Sequence, residues 1–256
     1  MAAGRALMLS TAAAVGTSAH PVIRATVIVM GEHWQSWLDA VLPRTCGGCG
    51  RPGADWCRAC AAELALLHPT LVEVPGACVP VGAVVGSHDG LLRRAVLAHK
   101  RAALPRLRAV LIALLAVAIA LVRPVLAARG LWRPPVALAC VPPSGWRPIR
   151  VPMVELTTPL AQECSACAVP LLKGARRRRP QKGLAAAARA SNVRHAFLAD
   201  SKRAPPGVIS VVIIDDVITT GASMVEAARA VRAAGLLPVA ALALARAEIG
   251  ARTSLG

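Results

Sequence analysis

Residues 211–223 read VVIIDDVITTGAS, and this stretch decides the fold class. Its first four residues are β-branched and apolar, which is typical of a central strand in a parallel sheet that is buried on both faces. Two adjacent acids, Asp215 and Asp216, follow at the carboxyl end of the strand, where open α/β sheets bind their ligands. A short Thr-Thr-Gly turn then leads into a helix. The stretch therefore predicts a strand–loop–helix unit with a site at its centre.

Strand and helix patterns alternate on both sides of this unit. Strands are predicted at 78–85, 136–141, 208–214 and 239–245, and helices at 90–100, 107–122, 157–169 and 224–234. Strands that alternate with helices in this way form a mainly parallel sheet flanked by helices. We therefore expect an α/β domain from residue 78 onward.

The turn after the two acids has the composition of a phosphate-binding loop. Two or three hydroxyls, a glycine and the free N–H groups at the start of a helix together attract one phosphate. The residues concerned are Val217, Ile218, Thr219, Thr220, Gly221, Ala222 and Ser223. Adjacent carboxylates are suited to ribose hydroxyls or to Mg²⁺. The combination indicates a site for a sugar phosphate.

Four cysteines near the N-terminus have the spacing of a metal site. Cys46, Cys49, Cys57 and Cys60 form C-x2-C-x7-C-x2-C, with two glycines between the first pair and a third glycine after it. Two such pairs supply the four thiolates of a structural, tetrahedral Zn²⁺ site with no open position for catalysis. Two disulfides are the alternative. In a module this small, a metal would supply much of the folding free energy.

The remaining cysteines do not have the spacing of a second metal site. Cys164 and Cys167 are three residues apart in a segment with a helical pattern, so we expect them to be core thiols on one helix face, with a redox pair as the alternative. Cys78 and Cys140 are expected in the core. Because the cysteine spacing favours metal over disulfides, it also favours a cytoplasmic location over export.

Composition restricts the binding partners. The 256 residues carry 30 Lys+Arg against 13 Asp+Glu, a net charge of +17, which favours anionic partners such as phosphates or nucleic acid. Aromatic residues are only 2%, which disfavours a single-stranded nucleic-acid groove built on stacked rings. The densest positive run, Lys173, Arg176–Arg179 and Lys182, has three interpretations: a solvated loop, a hood that closes over a substrate, or a nucleic-acid contact.

The longest apolar run, residues 109–122, has only fourteen residues. A run of this length is more typical of a buried core helix than of a membrane span, so no span is predicted. The sequence divides into an N-terminal extension (1–33), a zinc-knuckle module (34–68), an α/β domain (78–247) and a C-terminal tail (248–256).

The stretch at 211–223 resembles the signature with which type I phosphoribosyltransferases bind phosphoribosyl pyrophosphate (PRPP). With the cysteine module upstream, the chain resembles the ComF family (ComFC- and GntX-like proteins) from about Trp37 to Arg246. Three further segments carry this resemblance: LDAVLPRTCGGCGRPG at 38–53, HDGLLRRAVLAHK at 88–100 and QKGLAAAARASNVRHAF at 181–197. In the third, the matching residues are Gln181, Leu184, Arg189, Asn192, Val193, Ala196 and Phe197.

The resemblance implies a type I phosphoribosyltransferase-like fold and displacement of pyrophosphate from Mg²⁺-bound PRPP by an acceptor. Asp215 and Asp216 would contact the ribose hydroxyls or Mg²⁺, and the 217–223 loop would hold the 5′-phosphate. Lys100, Arg147 and Arg150 are candidates for the pyrophosphate. Neither the acceptor nor the oligomeric state is predicted.

One segment departs from the family pattern. Residues 140–157, CVPPSGWRPIRVPMVELT, lack the family's Gly-Phe-Asn-Gln loop, although two arginines remain. This divergence favours a second hypothesis: an accessory protein of DNA uptake and competence that binds PRPP, nucleic acid or a competence protein with little or no turnover.

Overall fold

The computed structural model describes residues 44–74, 76, 79–143, 151–175 and 195–247. The chain divides into two compact units, Met1–Arg44 and Thr45–Gly256, and all the described elements belong to the second unit. The domain boundaries expected from the sequence remain a prediction. Cys78, expected in the core, lies outside the described residues.

The second unit has eight described strands. They are β1 (Thr70–Val72), β2 (Val81–Ser87), β3 (Ala137–Cys140), β4 (Cys167–Ala168), β5 (Leu172–Gly174), β6 (Phe197–Ala199), β7 (Ser210–Ile218) and β8 (Leu237–Arg246). Six form one sheet in the order β1-β2-β8-β7-β3-β4, in which only the β1–β2 pair is antiparallel. Strands β5 and β6 form a separate antiparallel pair. The predicted, mainly parallel sheet is confirmed.

Five α-helices accompany these strands in the described part of the chain. They are α1 (Arg58–Ala65), α2 (Gly90–Arg101), α3 (Pro105–Ala128), α4 (Pro152–Glu163) and α5 (Ala222–Ala233). A short 3₁₀ helix covers Ser201–Arg203. Proline is the first residue of both α3 and α4, where its missing N–H leaves no helical hydrogen bond unmade.

The central strand β7 shows why the sheet is covered on both faces. Its buried residues alternate between two hydrophobic clusters, because successive side chains in a strand point to opposite faces. Val212 and Ile214 pack with helices α2, α3 and α4 on one face. Val211 and Ile213 pack with α5 and the β5–β6 pair on the other. The continuous apolar run therefore encodes a strand between two layers.

Helix α3 extends beyond the apolar run that predicted it. It has 24 residues and is long and apolar enough to cross a membrane, and its most apolar 18-residue window has a mean hydropathy of 2.7. Core helices of soluble proteins have the same properties, and 44% of its most apolar window is buried. It packs against β2, β8 and α4, with Leu107, Leu111 and Leu115 fully buried. Its contacts are thus those of a helix that covers the sheet.

The predicted helix over 157–169 is wrong in its position. Helix α4 begins at Pro152 and ends at Glu163. Ser165 has a φ of 52°, a left-handed conformation that an α-helix does not contain. Cys164 therefore caps the helix while Cys167 lies in β4, so the two do not share a helix face.

Candidate functional site

The two acids lie inside β7 rather than after it, where the sequence pattern had placed them. Ile214 is the last residue of β7 that pairs with β3, and its carbonyl accepts from the Val141 N–H at 2.9 Å. Strand β7 continues for four residues beyond Ile214. Beyond this point β7 pairs with β8, with Asp215 opposite Ala243 and Ile218 opposite Arg246. The carboxylates are therefore presented by hydrogen-bonded strand at the carboxyl edge of the sheet.

The carboxyl group of Asp215 has a raised pKa. Burial, and the adjacent charge of Asp216, raise the pKa of Asp215 from its ordinary value of 3.8 to about 7. The Asp216 N–H, which donates to Asp215 Oδ1 at 2.8 Å, and the charge of Lys100 act in the opposite direction without cancelling this shift. Near neutral pH the Asp215 carboxyl therefore exists in both protonation states.

The turn after β7 has the geometry of an anion-binding loop. Gly221 has a φ of 76°, a left-handed conformation in which a side chain would cost roughly 1–2 kcal/mol. It precedes α5, whose first N–H groups have no helical partners. The hydroxyl of Thr220 accepts from the Ala222 N–H at a long 3.4 Å, while Thr219 is exposed and Ser223 half-buried. The loop thus combines free N–H groups with two or three hydroxyls.

Lys100 lies at the acids. Its Nζ is 2.7 Å from Asp216 Oδ2, and both side chains remain partly exposed. The residue occupies the last turn of α2, which starts beyond the carboxyl end of β2. Of the three residues predicted to contact pyrophosphate, Lys100 is the one that the structure describes. Arg147 and Arg150 lie outside the described residues, as do Arg176–Arg179 and Lys182 of the basic run.

Two residues at the same edge had no chemical role assigned from the sequence. His88 follows β2, and its N–H donates to the carbonyl of Arg246, the last residue of β8, at 2.7 Å. Burial, and the nearby charges of Arg93 and Lys100, lower the pKa of His88. Cys140, expected in the core, is half-buried and ends β3 next to the acids. The sequence pattern places Cys140 within the predicted strand 136–141 and His88 three residues after the predicted strand 78–85, which says nothing about chemistry.

The predicted basic run is described only at its start. Lys173 lies in β5 and forms an ion pair of 3.4 Å with Asp200. Among the predicted matches to the family's third segment, Ala196 and Phe197 are described, and both are buried. Phe197 begins β6, which pairs with β5.

The four N-terminal cysteines form a cluster, and we call Cys46, Cys49, Cys57 and Cys60 the cysteine cluster. Their sulfur atoms all lie within 4.8 Å of one another. Cys49 Sγ is 3.8 Å from Cys57 Sγ, which is about the edge of a tetrahedron whose Zn–S bonds are about 2.3 Å. None of the described cysteines forms a disulfide. The donor set and its spacing therefore fit a structural zinc ion.

Backbone hydrogen bonds support the thiolate form of the first cysteine. The N–H groups of Gly48 and Cys57 lie 3.4 and 3.3 Å from Cys46 Sγ. Burial alone would raise the pKa of Cys46, but these N–H groups, with that of Cys49, lower it to about 6. Burial and the neighbouring sulfurs raise the pKa of Cys60. A cation at the centre would be needed to hold all four as thiolates at neutral pH.

Close packing around the cysteine cluster explains why residue 48 is a glycine. A methyl group on Gly48 would lie 2.8 Å from Cys60 Sγ, closer than such atoms approach, and 3.0 Å from Leu91 Cδ1, tighter than most such contacts. Gly48 therefore allows the first cysteine pair to approach both the second pair and α2.

Comparisons with known proteins identify no family by sequence. No family model matches the chain. No curated protein matches it either. Among solved structures, the chain is similar to adenine phosphoribosyltransferase from Saccharomyces cerevisiae in complex with D-2,5-dideoxy-2,5-imino-altritol 1,6-bisphosphate and adenine. The TM-score is 0.34 and the identity 17%, over 75% of this chain and 90% of that chain. The chemistry of this chain is therefore inferred from its own residues.

Proposed function

We propose that this chain binds Mg²⁺–PRPP and is a ComF-type phosphoribosyltransferase. The observation that carries the proposal is the order of groups at the carboxyl edge of β7. Five residues after the second carboxylate comes Gly221, a left-handed glycine, and α5 starts at the next residue. Carboxylates accept from vicinal ribose hydroxyls or bind Mg²⁺, and the loop N–H groups donate to one phosphate.

In the proposed reaction, the bond between the anomeric carbon and pyrophosphate breaks and a bond from that carbon to the acceptor forms. The acceptor gives up a proton, and pyrophosphate leaves with its Mg²⁺. Positive charge develops on the ribose in the transition state, so nearby carboxylates stabilise it. In this scheme Asp215 and Asp216 fix the ribose, the 217–223 loop fixes the 5′-phosphate, and Lys100 contacts pyrophosphate together with Arg147 and Arg150.

Calorimetric titration of PRPP with and without Mg²⁺ tests the binding step. We expect binding that requires Mg²⁺ and that weakens at least tenfold when Asp215 and Asp216 are both replaced by Asn, because charged hydrogen bonds contribute roughly 1.5–3 kcal/mol each. The matched control is Asp200→Asn, a partly exposed acid that follows β6. Equal affinity in the folded double variant would contradict the assignment. Release of pyrophosphate, screened over nucleobases, other amines and nucleic acids, then tests turnover.

A second candidate function is an accessory role in DNA uptake, with nucleic acid or a competence protein as the partner. The observation in its favour is a set of exposed arginines whose side chains have no ion pair or hydrogen-bond partner among the residues that the structure describes. These are Arg51, Arg58, Arg93, Arg94, Arg101 and Arg108. They lie on the cysteine module and on helices α2 and α3, and they add to the basic run at 173–182.

Fluorescence anisotropy with duplex and single-stranded DNA over a salt series tests this second function. Each neutralised phosphate adds about 0.9 to the log–log salt slope on duplex DNA, so four contacts from the basic run would give a slope of about −3.6. Replacing Arg176–Arg179 with Ala should flatten the slope by that amount, whereas a hood over PRPP would instead lose PRPP affinity. No binding at low salt would exclude nucleic acid as the partner. The cysteine cluster supports a cytoplasmic location under either function.

A further inference from the structure

Helix α2 connects the cysteine cluster to the acids of β7. The first cysteine turn packs directly on the helix: a methyl group on Gly47 would be 3.4 Å from Ala98 Cβ, and one on Gly48 would be 3.0 Å from Leu91 Cδ1. Ala98 and Leu91 are seven residues apart, so they lie on one face of the helix, two turns from each other. This face of α2 is therefore held by the cysteine turn.

The end of the same helix carries Lys100. Lys100 follows Ala98 by two residues, and its Nζ is 2.7 Å from Asp216 Oδ2. The Lys100 side chain is 42% exposed, so its own packing does little to hold it in place. In the same turn, the buried His99 has its Nε2 3.0 Å from the Pro152 carbonyl at the start of α4. The position of Lys100 thus depends on the position of α2.

The cysteine module is anchored independently of α2. Trp56 is buried, and its carbonyl accepts from Arg106 Nη1, at the start of α3, at 2.9 Å. Cys46 and Cys60 belong to the same hydrophobic cluster as Leu92 of α2. The module therefore lies against both helices and can hold α2 only while it keeps its own fold. A small module of this kind depends on its metal for that.

We infer that the cysteine cluster, when it holds zinc, is a positioning element of the proposed PRPP site: through α2 it fixes Lys100 against Asp216. The inference rests on the proposed function only for its effect on PRPP. In the free protein the Lys100 ammonium offsets the repulsion between the two adjacent carboxylates. Its remaining N–H groups are available to an incoming pyrophosphate. Zinc and PRPP affinities should then be coupled, and linkage requires the coupling to act in both directions.

Leu91→Ala tests this inference because it removes the contact with the cysteine turn and leaves all four sulfurs in place. Leu66→Ala is the matched control, since Leu66 ends the helix of the cysteine module and is 73% exposed. Leu91→Met restores side-chain volume and should restore the wild-type values. Zinc content per chain and circular dichroism are measured for each variant.

The first measurement does not require PRPP. Brief acetylation with acetic anhydride, followed by peptide mapping, gives the labelling rate of Lys100 relative to the exposed Lys202. The Lys100 amine lies 2.7 Å from Asp216 Oδ2, and this contact shields it from the reagent for as long as it persists. We expect the Lys100/Lys202 ratio to rise at least threefold in Leu91→Ala at one zinc per chain, and to stay at the wild-type value in Leu66→Ala and Leu91→Met.

The second measurement is the dissociation constant of Mg²⁺–PRPP. We expect it to rise at least fivefold in Leu91→Ala and after removal of zinc from the wild type, and to change less than twofold on zinc removal in Lys100→Met. An unchanged labelling ratio in zinc-loaded Leu91→Ala would overturn the inference. If Leu91→Ala does not fold, the inference is tested by the Lys100/Lys202 labelling ratio of the wild type before and after zinc is removed with a chelator: an unchanged ratio would overturn it. Wild-type protein that binds no PRPP would overturn the proposed function, while the labelling ratio would still test the role of α2.

Discussion

Cys140 Sγ and Thr157 Oγ1 are 2.7 Å apart, and this contact joins the end of β3 to helix α4 beside the acids of β7. The Thr157 hydroxyl also donates to the Met153 carbonyl at 2.6 Å, so it is available to Cys140 as an acceptor. Burial raises the pKa of Cys140 from its ordinary value of 9.0 to about 11, and the charge of Asp215 acts in the same direction. The Cys140 thiol therefore stays protonated at neutral pH and lies beside the acids without carrying a charge.

Cys140 should be nearly inert to alkylation in the folded protein. A pKa about two units above the ordinary value reduces the thiolate fraction at pH 7.5 about 100-fold, and only the thiolate reacts. We expect N-ethylmaleimide to modify Cys140 at least about 100 times more slowly in folded than in denatured protein, as followed by peptide mass spectrometry. Comparable rates in the two states would show that the Cys140 thiol does not have the raised pKa described above.

PRPP binding should strengthen as the pH rises through 7. With a pKa of about 7, Asp215 is ionised in about a tenth of the molecules at pH 6 and about nine tenths at pH 8. We expect about tenfold tighter Mg²⁺–PRPP binding at pH 8 than at pH 6, beyond the contribution of the ligand's own phosphates. In Asp215→Asn, the affinity should change with pH only through the ligand's own phosphates. In Asp200→Asn, the affinity should have the same pH dependence as in the wild type. Identical pH profiles for wild type and Asp215→Asn would contradict the prediction.

The same carboxyl should make the fold less stable at higher pH. Because the pKa of Asp215 is higher in the folded than in the unfolded chain, the folded state holds the extra proton between about pH 4 and pH 7. The free energy of unfolding should therefore fall across this interval. Asp215→Asn retains an oxygen that accepts from the Asp216 N–H, so urea titrations should show a smaller fall in the variant. A fall as large as in the wild type would assign the effect to other groups.

Gly48→Ala should weaken metal binding without affecting the sheet. The new methyl group would lie 2.8 Å from Cys60 Sγ, so either this sulfur or the backbone must move. We expect zinc affinity, measured by competition with a chromogenic chelator, to fall at least tenfold. Gly174→Ala is the matched control, since a methyl group there has no neighbour within 4 Å. Equal zinc affinities for the two variants would show that the cysteine turn tolerates the displacement.

Arg229 should stabilise the fold mainly by neutralising a buried acid. Glu226 is 5% exposed and accepts from Arg229 Nε at 2.8 Å, from Arg229 Nη2 at 2.7 Å and from the Phe197 N–H at 3.3 Å. Removing one partner of such a pair costs roughly 3–5 kcal/mol when both are buried, and we expect about 2 kcal/mol for Arg229→Met because Arg229 is partly exposed. The cost, measured by urea denaturation, should shrink as the pH falls, because against the effect of burial Arg229 and the Phe197 N–H lower the pKa of Glu226, and without Arg229 this carboxyl protonates more readily. Arg94→Met, at an exposed position on α2, should cost less than about 0.5 kcal/mol.

The sequence predicts the layers of this fold better than its edges. The central strands and the flanking helices are identifiable because apolar periodicity is strong where both faces are buried. The short strands β1, β4, β5 and β6 were not predicted, since two or three residues carry no periodicity. Helix α4 was misplaced at both ends: the prediction over 157–169 missed the start at Pro152, and it continued past Glu163 through Ser165, whose left-handed conformation an α-helix does not contain.

The candidate site likewise has a part that the sequence predicts and a part that it does not. The acids, the loop and the four cysteines were predicted because their chemistry lies within short, contiguous motifs. The contact of Lys100 with Asp216 joins residues 116 positions apart, and only the fold brings them together. The positions of Cys140 and His88 depend on strand order, in which β8 lies between β2 and β7 although it is the last described strand in the chain.

The unequal lengths of β3 and β7 have an evolutionary consequence. Past Ile214, β8 is the only described strand that pairs with the residues carrying the acids, whereas the pairing of β3 ends at Cys140. Sequence changes beyond the end of β3 can therefore accumulate without altering the register of Asp215 or Asp216. Related proteins can therefore differ in the residues that approach the acids from the β3 side while both acids stay the same.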